Sequence, residues 1–306
     1  MSDELEGNAE TAASADVSEE IIEGRGEPKT PEEVAFLNAL HQRKVILESL
    51  ENGTLPCLSG KDGYADTAPA VNIANDTRYH GVSLLYLKDF QKRNGFPTPE
   101  YVTRNQIDKA RAETGDQIFI RKDEKPVTVS FQVRNEGSGE WEQKNALLYN
   151  AAQTTKPWAL KDWAAKHVQE QQQERTEFLK QQYGNNYKPY EPGQKGPGPE
   201  IACTSTEPEK YLGQYLAAVS MGGKFKVSPE QAKEFSGKLQ ESVYKQSFDE
   251  RLGKEHTDPY KLSKICQAAG AECKDIIREA RDEQRRNPQP VREQKQEQKL
   301  ARGRSR

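Results

Sequence analysis

The sequence contains few cysteines and no long apolar segment. Its 306 residues include only four cysteines and no CxxC pair, which excludes a disulfide framework and favours buried thiols. No apolar run approaches the roughly 20 residues that span a bilayer, so no membrane partner is expected. The acidic N-terminus also differs from the basic, then apolar, start of a secretory signal peptide, which predicts a cytoplasmic protein. The four cysteines are Cys57, Cys203, Cys266 and Cys273.

Catalytic motifs are absent from the sequence as well. The four histidines occur singly, without an HExxH pair, so the ligand set of a zincin-type protease is missing. Neither a phosphate-binding loop nor a GxSxG nucleophile elbow occurs. The carboxylates lie in mixed-charge helical stretches, which are typical of solvated surfaces. We therefore predict a non-enzymatic protein with no catalytic residue, no metal and no cofactor.

The hydrophobic content is low for a chain of this length. Hydrophobic residues make up 33% of the chain and the mean hydropathy is -0.99, so part of the chain is unable to bury a core. Acidic residues dominate the start and basic residues the end, although the formal net charge is only -3. These features predict a disordered acidic arm (1–29), a folded domain (30–168), a polar helix end with a Gly/Pro-rich linker (169–208), a helical region (209–286) and a disordered basic tail (287–306).

Helical periodicity and capping residues predict the helices. Thr30 is a suitable N-cap, Pro31 suits the first helical position, and Glu33 completes a capping box. Apolar residues at helical spacing, ended by Asn-Gly, Gly or Pro breakers, define the other helices. The predicted helices cover 30–52, 81–94, 103–115, 156–184, 208–223, 228–253 and 258–286.

Period-two alternation predicts the strands. Residues 116–133 alternate first at Ile118 and Ile120 and then from Val127 to Val133, and the segment NALLYNA is a further strand after a turn. Residues 53–78 have no periodicity and are rich in turn-forming residues. The sequence therefore predicts an α+β fold, in which a small antiparallel sheet is packed with helices. A linker and a small helical C-terminal region follow, and both termini are expected to be disordered.

Aromatic and cationic residues are interleaved through the middle of the chain, between Tyr64 and Trp163. Cations along the phosphates and ring faces under the bases are the two devices that hold single-stranded nucleic acid. Each residue also has an ordinary explanation. In particular, Phe90, Phe119 and Phe131 fall on apolar faces and are expected in the core. Composition alone leaves both interpretations open.

Four short segments occur in a distinctive order: "VNIANDTRYHGVSLLYL", "YVTRNQ", "IRKDEKPVTVSF" and "LLYNAAQT". Together they resemble the N-terminal domain of the ArdC anti-restriction family, which has an Asn, a Tyr and a Gly before a Leu-rich helix, then a W-x-T-x-x-Q motif, a basic hairpin and an Asn-x-x-Gln pair. The resemblance covers residues 33–165. The matching positions are Asn72, Tyr79, Gly81, Tyr101, Thr103, Gln106, Asn150 and Gln153.

The resemblance implies an α+β domain that binds single-stranded DNA and occurs in plasmid and other mobile-element proteins. In some relatives the domain protects incoming DNA from restriction, and in others it precedes a metallopeptidase or primase domain; this chain has no metallopeptidase motif. The expected phosphate contacts are Arg78, Arg104, Arg121, Lys122 and Lys125. The expected stacking rings are Tyr79, Tyr101 and Trp158, and Gly81 would let the backbone approach the ligand. The expected supporting polar residues are Asn72, Thr103, Gln106, Asn150 and Gln153.

The sequence departs from the family pattern at positions that bear on binding. The family's Pro-Trp segment is "LPCLSG" here, without the tryptophan. His80 stands in place of an arginine, Ser83 in place of an asparagine and Asp123 in place of a hairpin glycine. These departures put the affinity for DNA in question more than the fold.

Two hypotheses about function follow. The first is a sequence-tolerant single-stranded DNA-binding protein of a mobile element or phage that protects or handles incoming DNA. RNA would suit the same stacking and phosphate contacts. The alternative is a protein-interaction adaptor, in which the ArdC-like scaffold has lost its DNA-binding surface and residues 209–286 bind a protein partner. The missing tryptophan favours the alternative.

Overall fold

The structure, a computed structural model, describes residues 31–60, 62–134, 141–183, 198–244, 246–249, 254–258 and 260–286. Within these ranges the chain forms seven α-helices and ten strands, so the predicted α+β class is confirmed. The acidic arm, the basic tail and residues 184–197 of the predicted linker lie outside the described residues.

Seven α-helices surround the strands in the described part of the chain. They are α1 (Pro31–Glu51), α2 (Gly81–Arg93), α3 (Arg104–Thr114), α4 (Pro157–Tyr183), α5 (Pro208–Met221), α6 (Pro229–Tyr244) and α7 (Lys261–Arg286). All seven were predicted, since their caps and breakers are local signals. The helix predicted over 228–253 is wrong beyond Tyr244, because Gln246–Asp249 forms a strand.

A five-stranded sheet forms the centre of the N-terminal half. Its strands are β2 (Val71–Asn72), β3 (Thr77–Arg78), β4 (Glu100–Thr103), β5 (Val127–Arg134) and β6 (Trp141–Asn150), in the order β3-β2-β4-β6-β5. Three of the four pairings are antiparallel, as predicted, but β2 and β4 are parallel. The parallel pair is possible because the chain passes from β2 through β3 and then crosses over through α2 before it enters β4.

The segment before β5 is not the strand that its alternation predicted. Between residues 116 and 126, a single antiparallel bridge joins Ile120 to Thr154, and regular pairing begins only at Val127. Residues 116–125 instead lie along residues 153–155 as an extended strap. We call this segment the 116–125 strap.

Two smaller sheets involve the C-terminal half. β1 (Tyr64–Ala65) pairs antiparallel with β8 (Lys224–Lys226), which pairs parallel with β7 (Glu200–Ala202). β9 (Gln246–Asp249) and β10 (Lys254–Thr257) form an antiparallel pair. The first of these sheets joins strands that are more than 150 positions apart, so the two halves of the chain are connected by backbone hydrogen bonds.

One hydrophobic core contains residues from both halves. Leu84 and Leu87 of α2 are fully buried in the same cluster as Tyr211, Tyr215 and Phe225. The Tyr211 ring stacks on Phe235 with centroids 3.8 Å apart and meets Phe225 edge-on at 5.2 Å. The sequence predicts a 30–168 domain and a separate 209–286 region. In the structure, residues of both segments lie in one hydrophobic core.

All four cysteines are buried, which confirms the prediction of buried thiols. Burial raises the pKa of Cys57 and Cys203 above the ordinary value of a thiol, and it raises the pKa of Cys266 to about 12. The pKa of Cys273 is raised for the same reason. These thiols are poor nucleophiles at neutral pH, which agrees with a packing role.

A second, smaller core lies between β4, α3 and α4. Val102, Ile107 and Leu160 are buried there together with the Trp163 ring. The Trp163 indole N–H donates to Glu113 Oε2 at 2.7 Å. This core fixes the start of α4 against the central sheet, and so it fixes the residues that flank the strap.

Candidate nucleic-acid interface

The 116–125 strap is held in place by backbone and side-chain hydrogen bonds to the turn after β6. The Thr155 N–H donates to the Phe119 carbonyl at 2.8 Å, and the Phe119 N–H donates to Thr155 Oγ1 at 3.1 Å. The Arg121 N–H donates to the Gln153 carbonyl at 2.9 Å. The backbone of the strap is thus positioned independently of its outward-pointing side chains.

The strap turns at Asp123, whose φ of 67° lies in the left-handed region. Glycine adopts this conformation freely and aspartate tolerates it better than most residues. The geometry explains why the family pattern has a glycine at this position. The substitution leaves the turn in place and adds one exposed carboxylate beside the cations.

Three predicted phosphate contacts lie on this strap. Arg121, Lys122 and Lys125 are all exposed, and Arg121 Nε donates to the Thr154 carbonyl at 3.1 Å, which orients its guanidinium. Of the neighbouring carboxylates, Glu124 accepts a hydrogen bond from Gln153 Nε2 at 2.8 Å. Asp116 pairs with Lys156 at 2.9 Å. The cations therefore extend into solvent while two of the nearby acids are engaged.

Two exposed rings accompany these cations, one on the strap itself and one three residues after Thr155, which is hydrogen-bonded to the strap. Trp158, at the start of α4, is 62% exposed, and Phe119 on the strap is 43% exposed. The prediction that Phe119 is a core residue is wrong. Side chains alternate along this extended segment. Ile118 and Ile120 point inward, and Phe119, which lies between them, therefore points outward. The Arg111 guanidinium lies 5.0 Å from the Phe119 ring centroid, a cation–π distance, and sequence analysis missed this residue.

Gln153 bonds the strap directly, and Asn150 fixes the turn that carries Gln153. Asn150 is fully buried, its Oδ1 accepts from the Ala152 N–H at 3.0 Å, and its Nδ2 donates to the Thr98 carbonyl at 2.7 Å. Gln153 Nε2 donates to the Lys125 carbonyl at 2.9 Å. Both amides thus orient backbone, the role that the family resemblance implied.

Asn72, Thr103 and Gln106 form a second polar group at the start of α3. Asn72 Nδ2 donates to Gln106 Oε1 at 3.1 Å, and the same oxygen accepts from the Thr103 N–H at 2.8 Å. The Thr103 hydroxyl accepts in turn from the Gln106 N–H at 3.3 Å, which completes a capping box. These contacts join β2 to β4 and α3, and they are contacts within the protein.

The structure does not place Tyr101 where it could stack on a base. Its side chain is fully buried in β4, its hydroxyl donates to the Leu87 carbonyl, and burial raises its pKa. The stacking role predicted for Tyr101 is therefore corrected to a core role. Its side chain lies on the face of β4 that is covered by the core shared with α2, which accounts for the burial. Tyr79 is half-buried and meets Tyr101 edge-on at 6.4 Å, so part of its ring is covered by the protein.

The remaining predicted residues lie on other elements than the strap. Arg78 is in β3, at the opposite edge of the five-stranded sheet from β5, and its Nη1 donates to the Ser220 carbonyl at 3.3 Å. Gly81 has a φ of 57°, and a Cβ at this position would lie 3.7 Å from Cys266 Cβ. This positive φ explains the glycine by backbone conformation. Arg104 is exposed at the first position of α3. Their roles toward DNA stay predictions.

The described residues bring together no group of three or more His, Cys, Asp or Glu side chains that could hold a metal ion. None of the described helices is long and apolar enough to cross a membrane. The surface around the strap consists of the exposed rings and cations described above, and buried amides hold its backbone.

The fold and this surface define an α+β domain with a small helix-flanked sheet and an exposed aromatic and basic strap. Residues 41–187 match the family described as the N-terminal domain of anti-restriction factor ArdC, and the chain therefore contains an ArdC-type N-terminal domain. A crystal structure of the antirestriction protein ArdC from the R388 plasmid, in its metal-free form, is 13% identical in sequence and matches with a TM-score of 0.41. The match covers 79% of this chain and 96% of that chain. No curated protein matches the sequence.

Proposed function

We propose that the chain binds single-stranded DNA, without strong sequence preference, through the 116–125 strap and Trp158. The observation that carries this proposal is the exposed tryptophan beside a strap with three exposed cations. The ArdC-type N-terminal domain supports an anti-restriction-related role, in which the protein would protect or handle the DNA of a mobile element in the cytoplasm.

The combination of rings and cations favours unpaired over paired nucleic acid. A ring face such as that of Trp158 can stack only on a base that has left a duplex, and each stacked base contributes about 1–3 kcal/mol. Cations such as Arg121 and Lys122 neutralise phosphates whatever the sequence, which gives affinity without specificity. RNA has the same two features, so a matched RNA oligonucleotide belongs in the binding assays.

The adaptor hypothesis is weakened by the packing of α5. Every residue from Tyr211 to Val219 is buried, because this helix lies inside the core shared by both halves. Its apolar surface is thus already covered by the protein itself. A partner of residues 209–286 would have to bind the exposed polar faces of α6 and α7, which offer less apolar area.

Replacing Trp158 by alanine should weaken binding of oligo(dT) about five- to hundred-fold, because one stacking platform is lost. The measurement is fluorescence anisotropy of a labelled oligonucleotide at fixed salt. Phe178→Ala is the matched control, since Phe178 is 56% exposed on the same helix but some 20 residues further along. Equal losses in both variants, or no loss in either, would contradict the stacking role.

Binding should also depend steeply on salt, because each neutralised phosphate releases counterions. For single strands the slope of log affinity against log salt changes by about 0.7 per contact, so the double variant Arg121→Gln, Lys122→Gln should flatten the slope by about 1.4. The slope is obtained from anisotropy titrations between low and moderate salt. Absence of binding at low salt, or a flat salt dependence in the unmodified protein, would refute the proposed function.

A further inference from the structure

The Phe119 ring is held at a fixed place on the protein surface. Phe119 is 43% exposed, although its neighbour Ile118 is fully buried in the smaller core. Its carbonyl accepts from the Thr155 N–H at 2.8 Å, and its own N–H donates to Thr155 Oγ1 at 3.1 Å. Single exposed apolar side chains are common on proteins, so exposure alone does not indicate a site. The contacts of the ring decide what it can bind.

The guanidinium of Arg111 covers one face of this ring. Its Cζ lies 5.0 Å from the Phe119 ring centroid, within the range of cation–π contacts. Arg111 Nη2 also pairs with Asp108 Oδ1 at 2.8 Å, one turn earlier on α3. This helix is anchored in the smaller core by Ile107 and Ala110. Two anchored elements, α3 and the strap, therefore hold the guanidinium and the ring against each other.

Two contacts connect Phe119 to the part of the chain that carries Trp158. Thr155, which bonds the Phe119 backbone, lies three residues before Trp158. Lys156 Nζ pairs with Asp116 Oδ1 at 2.9 Å, so the start of the strap is joined to the residue just before α4. Three residues span at most about 11 Å, so both rings are within reach of one bound strand.

An arginine that packs on a ring affects binding differently from an arginine that contacts phosphate. A guanidinium on one face of a ring fixes the orientation of the ring, and the opposite face stays available for a base. A guanidinium that neutralises phosphate instead releases counterions, so its contribution depends on salt. Arg111 has the geometry of the first kind, since it lies against Phe119 and its charge is already paired with Asp108.

We propose that Phe119 is a second stacking platform for an unpaired nucleobase and that Arg111 is a positioning residue that holds its ring. The inference rests on the proposed function and deepens it, because it assigns a base-binding position in addition to Trp158 and a role to a residue outside the strap. Any base can occupy this position, since every base has a π-face. The phosphates are bound by the cations of the strap.

The first test compares oligo(dT) with an abasic oligodeoxynucleotide of equal length, using the full chain and competition anisotropy. Both strands carry the same phosphates, but only oligo(dT) can stack. Phe119→Leu removes the flat ring, so it should weaken binding of oligo(dT) at least about five-fold and leave binding of the abasic strand unchanged. Phe178→Leu, at an exposed ring further along α4, is the control and should change neither affinity. An equal loss for both strands, or no loss for either, would overturn the inference.

A second variant tests the role of Arg111. Arg111→Met should weaken oligo(dT) binding about two- to five-fold, which is the strength of an exposed cation–π contact, and should leave the salt dependence unchanged. The same change should have no effect in a protein that also carries Phe119→Leu. A loss that persists together with Phe119→Leu, or a slope that flattens by about 0.7, would show that Arg111 contacts phosphate and would overturn the positioning role.

Lys109→Met controls for the removal of one charge from α3. Lys109 Nζ lies 3.6 Å from Glu113 Oε1, and its loss should change affinity by the same factor with and without Phe119→Leu. Circular dichroism and the melting temperature establish that each variant is folded. Equal binding of oligo(dT) and the abasic strand by the unmodified protein would refute stacking while phosphate binding stands. Binding of neither strand would refute the proposed function itself, and this inference with it.

Discussion

A fragment that ends at Tyr183 is expected not to fold cooperatively. The fragment 31–183 contains the whole five-stranded sheet, yet it would expose the face of α2 that packs against α7 in the complete chain. Burying a large apolar side chain contributes about 1.5–3 kcal/mol, and total stabilities are about 5–15 kcal/mol. Exposing several such side chains at once therefore removes most of the stability available.

The lost contacts are polar as well as apolar. The Tyr211 hydroxyl donates to the Cys57 carbonyl at 2.8 Å, and the Tyr215 hydroxyl donates to the Asp66 carbonyl at 2.9 Å. β1 loses its partner β8, and the Val227 N–H no longer reaches the Gly63 carbonyl, a bond of 3.0 Å in the complete chain. Residues 53–70 thus lose several of the contacts that order them, although they belong to the N-terminal half.

Circular dichroism and thermal melting of the fragment 31–183 measure this effect, with dye binding as a probe of exposed apolar surface. The control is 31–286, which keeps every described residue and should melt like the complete chain. Adding residues 198–286 as a separate polypeptide should restore cooperative melting. A monomeric 31–183 fragment with a sharp transition near that of the complete chain would contradict the shared core.

Local signals explain which parts of the fold could be predicted from the sequence. The capping box of Thr103 and Gln106 and the left-handed Gly115 bound α3 as predicted, because caps depend on residues within one turn. The strands β5 and β6 were also predicted, since their length makes the alternation visible. The two-residue strands β2 and β3 were missed because two residues carry no period.

Long-range packing explains what could not be predicted. The residues of α5 are strongly apolar, but nothing local indicates that this helix packs against α7, or that α7 also packs against α2 in the other half of the chain. Similarly, Tyr101 and Val102 point to opposite faces of β4, and both are buried because the shared core covers one face and the smaller core covers the other. Burial of both neighbours depends on what packs on the two faces of the sheet, which is a property of the whole chain.

The candidate interface was predicted in part for the same reasons. Arg121, Lys122 and Lys125 were identified because they lie close together in sequence and remain close on the strap. Arg78 and Tyr101 were grouped with them by a motif order that says nothing about exposure.

A buried lysine in α2 provides the second large effect. The Lys88 side chain is fully buried in α2, and its Nζ pairs with Asp66 Oδ1 at 2.8 Å. The same ammonium donates to the Asp66 carbonyl at 2.9 Å and to the Ala68 carbonyl at 2.7 Å. All three N–H donors are thus used, and they order the chain before β2. The contact lies beside Tyr215, whose hydroxyl meets the same Asp66 carbonyl.

Lys88→Met should lower the free energy of unfolding by about 3 kcal/mol at pH 7, because it leaves the Asp66 carboxylate and the Ala68 carbonyl without their donor and the Asp66 carbonyl with the Tyr215 hydroxyl alone. Asp66 is 40% exposed and can be rehydrated, which places the loss at the lower end for a broken buried pair. Urea denaturation measures the loss. Lys92→Met, an exposed lysine one turn along the same helix, is the control and should change stability by less than about 0.5 kcal/mol.

The pH dependence of this difference separates an ionised Lys88 from a merely well-packed one. Burial lowers the pKa of Lys88 from 10.5 to about 8, opposed by the charge of Asp66. Between these two values the unfolded chain binds more protons than the folded one, so the contribution of Lys88 to stability increases with pH, by about 1.4 kcal/mol per pH unit. Above about pH 9 the buried thiols would ionise in the unfolded chain but not in the folded one, which lowers the free energy of unfolding. This effect is the same in both proteins and cancels in the difference. The stability gap between the unmodified protein and Lys88→Met should therefore widen from pH 7.5 to 9.5, and a gap that stays constant or narrows would show that Lys88 does not titrate as a buried ammonium.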